Sequence, residues 1–126
     1  MGKRVLVVDD HPAMVKLIED ALLDAGFSVD TAGDGAECLR KAAARPPDLV
    51  ILDVVMPRMD GFQALRKLRE RSEMRDVPVI ILTVRKESGD LLTGWMAGAT
   101  VYINKPCRME KLVAATKRLL GVPAQL

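Results

Sequence analysis

The sequence of 126 residues has few of the residue types that dedicate a protein to nucleic acid. Its four aromatic residues, Phe27, Phe62, Trp95 and Tyr102, are too few to form a platform that stacks on single-stranded nucleic acid. The 19 Lys and Arg against 17 Asp and Glu give a formal net charge of only +2. A nucleic-acid-binding domain carries a much stronger positive field, so we expect no direct contact with nucleic acid.

Cysteine and long apolar runs are scarce as well. Cys38 and Cys107 lack the spacing of metal ligands, and no secretory signal accompanies them, so we expect reduced thiols in a cytoplasmic protein. The start of the chain has four consecutive apolar residues between a basic pair and two acids, too few for a signal peptide. No run is long enough to insert into a membrane. The length and the 49% hydrophobic content suit one domain with its own core.

Short apolar runs alternate with amphipathic segments along the whole chain. Five strands are predicted, at 4–8, 27–31, 49–52, 77–83 and 101–104. Five helices are predicted, at 14–25, from 34 to the Pro46-Pro47 pair, and at 61–71, 88–97 and 109–120. Such alternation with short links predicts an α/β fold with a parallel sheet covered on both faces. Right-handed crossovers favour a flavodoxin-like (βα)5 three-layer sandwich with strand order 2-1-3-4-5.

The first and third strands end in carboxylates, at Asp9-Asp10 and at Asp53. These strands are neighbours in the expected order, so the three carboxylates meet in one cleft. Two carboxylates about 5 Å apart repel by roughly 3 kcal/mol at an effective dielectric near 20, so a proton or a cation must be bound. The oxygen donors, with no Cys or His at suitable spacing, favour Mg2+. Lys105 brings the charge of three carboxylates and one divalent ion to zero.

The segment DVVMPRMDG, which begins at Asp53, resembles the phosphoacceptor loop of the receiver domains of two-component response regulators. The resemblance covers residues 3–120 and includes the acidic pair and a Lys-Pro pair, Lys105-Pro106, whose bond is cis in that family. The site residues that it implies are Asp53 as phosphoacceptor, Lys105 on the phosphoryl oxygen, Thr83 as switch hydroxyl and Tyr102 as switch aromatic. For Mg2+ it implies Asp10, Asp53 and the backbone carbonyl of Val55 as ligands, with Asp9 acting through water.

Membership of that family would make the chain a signalling switch and not an enzyme that acts on metabolites. The resemblance implies a phosphohistidine donor on a sensor histidine kinase or on a histidine phosphotransfer protein. A phosphoryl group on Asp53 would draw in Thr83 and let Tyr102 rotate. We expect a downstream protein to dock at Leu91, Trp95 and Tyr102, around the fourth helix, fifth strand and fifth helix; the alternative is that Trp95 fills the core. We expect a monomer, with a phosphorylation-dependent dimer as the alternative.

Three positions depart from the commonest receiver pattern, namely Val55, Val84 and Arg85. Val55 has no polar group to orient an attacking water, and Val84 is bulkier than the usual small residue. We therefore predict slow self-dephosphorylation and hindered access for small phosphodonors. His11, beside two carboxylates and before Pro12, is expected to be a loop residue with no role in proton transfer.

Other functions are also compatible with the sequence. The chain could be a phosphorylation-independent docking module with a vestigial site, or the receiver fragment of a longer DNA-binding or enzymatic regulator. A small Mg2+-dependent phosphatase that uses Asp53 as nucleophile is disfavoured, because Val55 stands where a second acid would be needed. We place the receiver domain at residues 1–121 and a tail or truncated linker at residues 122–126.

Overall fold

The computed structural model describes residues 2–53, 61–83 and 98–123. Within these ranges the strands are β1 (Arg4–Val8), β2 (Ser28–Ala32), β3 (Leu49–Leu52), β4 (Val79–Thr83) and β5 (Val101–Asn104). The helices are α1 (Pro12–Asp24), α2 (Gly35–Ala44), α3 (Gly61–Arg69) and α4 (Met109–Leu120). A short 3-10 turn, Ser72–Met74, lies between α3 and β4. No helix in these ranges has the length and apolar character needed to cross a membrane.

The five strands form one parallel sheet in the order β2-β1-β3-β4-β5, as the sequence predicts. The central strands β1 and β3 pair in register from Val5 with Leu49 to Val8 with Leu52. Both strands are almost wholly buried, which explains why their sequences are continuous apolar runs without alternation. Their carboxyl ends therefore lie side by side at one edge of the sheet.

Two apolar clusters, one on each face of the sheet, make the fold a three-layer sandwich. On one face α2 and α3 contribute Cys38, Ala42, Phe62, Leu65 and Leu68. On the other face α1 and α4 contribute Ile18, Leu22, Leu112 and Ala115. Alternate residues of each central strand point into the two clusters, for example Leu6 into the first and Val7 into the second. The predicted fold class is confirmed.

Local capping sets the start of α2 where the sequence indicates it. The Asp34 side chain accepts a hydrogen bond of 2.8 Å from the backbone N–H of Glu37. The Glu37 side chain reaches back one residue further than the usual capping box, to the N–H of Gly33 at 2.6 Å. The first contact satisfies a donor that the first turn of a helix leaves free, and the second holds the residue before the N-cap.

Two predicted strand boundaries are wrong for backbone reasons. Phe27 was expected to begin the second strand, but its N–H donates to the carbonyl of Leu22 and so closes the end of α1. Gly26 makes this turn with a φ of 95°. The fourth strand begins at Val79 instead of Val77, since Pro78 has no N–H to donate to a neighbouring strand.

Two side chains that helical periodicity assigns to one side lie elsewhere. Leu17 belongs to the apolar stripe of α1, yet it is 51% exposed. Helical periodicity puts Arg69 on the polar side of α3, near the end of the helix, which comes two residues earlier than predicted. Its guanidinium instead turns toward the loops and donates to the carbonyls of Met74, Val77 and Gly98, at 2.8, 2.5 and 2.7 Å.

Candidate functional site

The acidic residues are held by the sheet itself. The backbone N–H of Asp9 donates to Ala32 of β2 at 3.1 Å, and that of Asp53 donates to Val8 of β1 at 2.9 Å. Each residue thereby continues the ladder of hydrogen bonds one position past the end of its strand. Asp9 is 2% exposed and Asp53 4% exposed, which is rare for carboxylates and requires compensating partners.

Lys105 is the cationic partner of both buried carboxylates. Its Nζ lies 3.0 Å from Asp9 Oδ2 and 3.6 Å from Asp53 Oδ2, and its side chain is only 14% exposed. The residue comes directly after β5, on a cis Lys105-Pro106 peptide bond, as the resemblance implies. The predicted meeting of the acidic pair, Asp53 and Lys105 at one edge of the sheet is confirmed as geometry.

The side chain of His11 also contacts the acidic pair. Its Nδ1 lies 3.1 Å from Asp9 Oδ1 and 3.1 Å from Asp10 Oδ1, and its backbone N–H donates to Asp9 Oδ1 at 3.0 Å. The hydrogen bond with Asp9 and then the charge of Asp10 raise the pKa of the imidazole. The expectation that no histidine stands at ligand spacing is therefore wrong.

The donor set suits a divalent cation. One oxygen from each of Asp9, Asp10 and Asp53, together with a nitrogen of His11, all lie within 4.8 Å of one another. Hard cations take carboxylate oxygens, and a divalent charge offsets the repulsion among three carboxylates that Lys105 alone leaves uncompensated. The residues thus fit the metal that the family resemblance implies.

The two predicted switch residues lie on neighbouring strands. Thr83 is the last residue of β4 and pairs with Asn104, two residues beyond Tyr102. Tyr102 pairs with Ile81 and is half-buried against the α2–α3 side of the core, so it is less exposed than the docking hypothesis assumes. The structure places these residues but does not assign their roles.

Several predicted residues lie outside the described ranges. These are Val55, Val84, Arg85, Leu91 and Trp95, together with the predicted helix at residues 88–97. The metal-binding carbonyl, the positions expected to tune phosphoryl lifetime and most of the expected docking surface therefore stay predictions.

The family model of the response regulator receiver domain matches residues 5–117, which is most of the chain. This chain belongs to the response regulator receiver family. The receiver is 38% identical to the alkaline phosphatase synthesis transcriptional regulatory protein PhoP of Bacillus subtilis over 95% of its own length and 49% of the relative. It is 40% identical to the response regulator MprA of Mycobacterium bovis, over 95% of its own length and 51% of that relative.

Solved structures agree with the assignment. The receiver superposes on the chemotaxis protein CheY4 of Vibrio cholerae with a TM-score of 0.91 and 35% identity, covering 95% of this chain and 100% of that one. The chain spans about half the length of the curated relatives it matches. As a receiver domain it is a signalling module of a two-component system. Receiver domains bind a divalent metal at an acidic pocket and take phosphoryl groups from histidine kinases, and this chain has the acidic cluster Asp9, Asp10 and Asp53.

Proposed function

We propose that Asp53 accepts a phosphoryl group from the phosphohistidine of a sensor histidine kinase or a phosphotransfer protein. One observation carries the proposal. Asp53 is buried at the carboxyl edge of the sheet, with Lys105 Nζ 3.6 Å from its Oδ2 and the acidic pair within ligand distance. A lone structural carboxylate would not need two further acids beside it.

The transfer would form one bond and break another. A carboxylate oxygen of Asp53 attacks phosphorus, the P–N bond to the donor imidazole breaks, and that imidazole recovers a proton. Phosphoryl transfer needs positioning and neutralisation of charge more than covalent help. A bound Mg2+, held by Asp10, Asp53 and the Val55 carbonyl, would neutralise charge on the phosphoryl oxygens.

The buried partners of Asp53 have separate tasks in this proposal. Lys105 would bind a phosphoryl oxygen. To do so, its ammonium would move away from Asp53 Oδ2 and keep its 3.0 Å contact with Asp9. Asp9 would act on the ion through water, since its two oxygens already accept from Lys105 and from the backbone N–H of His11. This arrangement holds Lys105 beside the acceptor in both states of the site.

A downstream protein would recognise the phosphorylated state at the surface around β5. The added charge on Asp53 would draw in the Thr83 hydroxyl, and Tyr102 would rotate from its half-buried position toward the space vacated. A downstream protein would then dock at Leu91, Trp95 and Tyr102. We propose a monomer before phosphorylation, with the receiver ending near residue 121.

Intact mass after incubation with Mg2+ and a phosphorylated histidine kinase domain tests the proposal. We expect a gain of one phosphoryl group that hydroxylamine removes, because the product is an acyl phosphate. Asp53→Asn should abolish the gain, whereas the matched variant Asp76→Asn, at an exposed position, should keep it. No gain with several competent donors would instead indicate a docking module that works without phosphate.

The rate at which the phosphoryl group is lost is a second readout. The absence of a polar side chain at Val55 predicts slow decay, and Val84→Ala should speed entry of small donors. A phosphorylated lifetime of only seconds would contradict this part of the proposal.

A further inference from the structure

The proposed metal site contains one side chain of a chemical class that Mg2+ does not favour. His11 Nδ1 lies 3.1 Å from a carboxylate oxygen of Asp9 and 3.1 Å from one of Asp10. Two ligands at right angles, each about 2.1 Å from one ion, are separated by about 3 Å. The contact with Asp9 is a hydrogen bond, whereas the distance to Asp10, a proposed ligand, is the spacing of two neighbouring ligands around a shared ion.

The backbone fixes where the imidazole can reach. His11 precedes α1 with an extended conformation, φ −98° and ψ 106°, as Pro12 at the next position requires. Its N–H is anchored to Asp9 Oδ1 at 3.0 Å, which leaves only the side-chain torsions free. The side chain makes no capping hydrogen bond to α1, so it is not needed to begin the helix.

The charges around Asp9 leave room for a second positive partner. Lys105 bonds Oδ2 of the carboxylate, whereas His11 faces Oδ1. The ammonium and the imidazole therefore do not compete for one oxygen. The imidazole is 70% exposed, so Nε2 can keep its hydrogen toward solvent while Nδ1 gives its lone pair to an ion.

We propose that His11 is a ligand of the ion when that ion is a first-row transition ion such as Zn2+ or Ni2+, and that it shifts the selectivity of the site toward such ions. Imidazole suits these ions, whereas Mg2+ prefers oxygen donors. The inference rests on the metal site of the proposed function and adds a nitrogen donor to it. Asp10, Asp53 and the Val55 carbonyl, the ligands in the proposed function, would still bind Mg2+ in the absence of His11.

The chain has a single histidine, which makes the decisive experiment direct. In an NMR experiment on the 15N-labelled protein, the two imidazole nitrogens of His11 give a single set of signals through their two-bond couplings to the ring protons. With Zn2+ we expect Nδ1 to shift to the position of a metal-bound nitrogen and the ring to settle in the Nε2–H form. With Mg2+ at saturation we expect no such change. A ring that stays unligated at saturating Zn2+ would overturn the inference.

Titration calorimetry at one fixed pH measures the selectivity. His11→Ala should weaken Zn2+ binding by about tenfold or more, and Mg2+ binding much less, because only the nitrogen donor is lost. An equal loss for both ions would mean that His11 acts through the charge or shape of the site, and would overturn the proposal. Cys107→Ser should leave the Zn2+ affinity unchanged; a loss in this variant would place the zinc at the partly exposed thiol and refute the assignment to His11.

Failure of this inference can be told apart from failure of the proposed function. Mg2+ binding and phosphorylation of Asp53 in both the unaltered protein and His11→Ala would preserve the proposed function, whatever the imidazole does. Absence of Mg2+ binding in the unaltered protein would remove the metal site itself, and with it the basis of the inference.

Discussion

Neutralising Asp10 should make the protein more stable when no divalent ion is present. In the Asp10→Asn variant one carboxylate is removed from a cluster whose oxygens lie within 4.8 Å of one another. At this separation and an effective dielectric near 20, each of its repulsions with Asp9 and Asp53 amounts to about 3 kcal/mol. Asp10 is the most exposed of the three carboxylates, so its removal disturbs packing least.

The net gain in the free energy of unfolding of Asp10→Asn is smaller than the sum of the two repulsion energies. The side chain of Asp10 is 30% exposed, so solvent screens both interactions, and the contact with His11 is lost at the same time. We expect the free energy of unfolding to rise by about 1–2 kcal/mol in EDTA. A metal ion at ten times its dissociation constant stabilises the native state by about 1.4 kcal/mol, so saturating Mg2+ should close most of this gap.

Urea unfolding followed by circular dichroism measures both effects at matched ionic strength. Asp24→Asn, on the exposed side of α1, is the control for the loss of one surface carboxylate and should change stability by less than about 0.5 kcal/mol. If Asp10→Asn were less stable than the unaltered protein in EDTA, the carboxylates would not repel one another in the native state. The same electrostatic reasoning that calls for a cation would then fail.

Three further predictions concern the frame around the site. Arg69→Met should lower the free energy of unfolding, measured in urea, by about 3 kcal/mol, because several carbonyls lose a charged donor. The control Arg66→Met, on the exposed side of α3, should lower it by less than about 0.5 kcal/mol, and equal effects would contradict the role of the guanidinium. Burial raises the pKa of Cys38 to about 12, so at pH 8 it is a neutral thiol, and a thiol reagent should modify Cys107 alone until the protein unfolds. Asp34→Ala should cost about 1 kcal/mol in thermal or urea unfolding through loss of the α2 cap, and no change would show that the cap contributes nothing.

The sheet and the acidic cluster could be predicted because they depend on local patterns with few topological solutions. Apolar runs such as Leu49–Leu52 fix a buried strand, and a right-handed α/β arrangement then leaves little choice of strand order. Once β1 and β3 are neighbours, Asp9 and Asp53 must meet. The charge of the cluster calls for a cation, and the family resemblance assigns that cation to Lys105.

The predictions fail where the position of a side chain depends on residues that are distant in sequence or on the packing of the helices. Arg69 lies on the polar side of α3 by periodicity, but its partners include Gly98, 29 residues away in sequence. Leu17 continues an apolar stripe that is wider than the part of α1 covered by the sheet and α4. His11 could have been recognised from its place beside Asp10 and before Pro12, since the extended backbone there turns its ring back over the acids.

The hydrogen bonds of Arg69 stabilise the amino edge of the sheet in a way that does not depend on the charges at its carboxyl edge. Its described partners are carbonyl dipoles of the loops before β4 and β5, at the amino edge of the sheet. The guanidinium keeps its proton throughout the physiological pH range. Its bonds to backbone carbonyls are not ion pairs, so salt weakens them little. At the carboxyl edge, by contrast, Asp9, Asp53 and Lys105 are ionised groups, which is where we expect metal and added charge to act. We therefore expect the bonds that hold the amino edge of the sheet to stay unchanged when the charge at Asp53 changes.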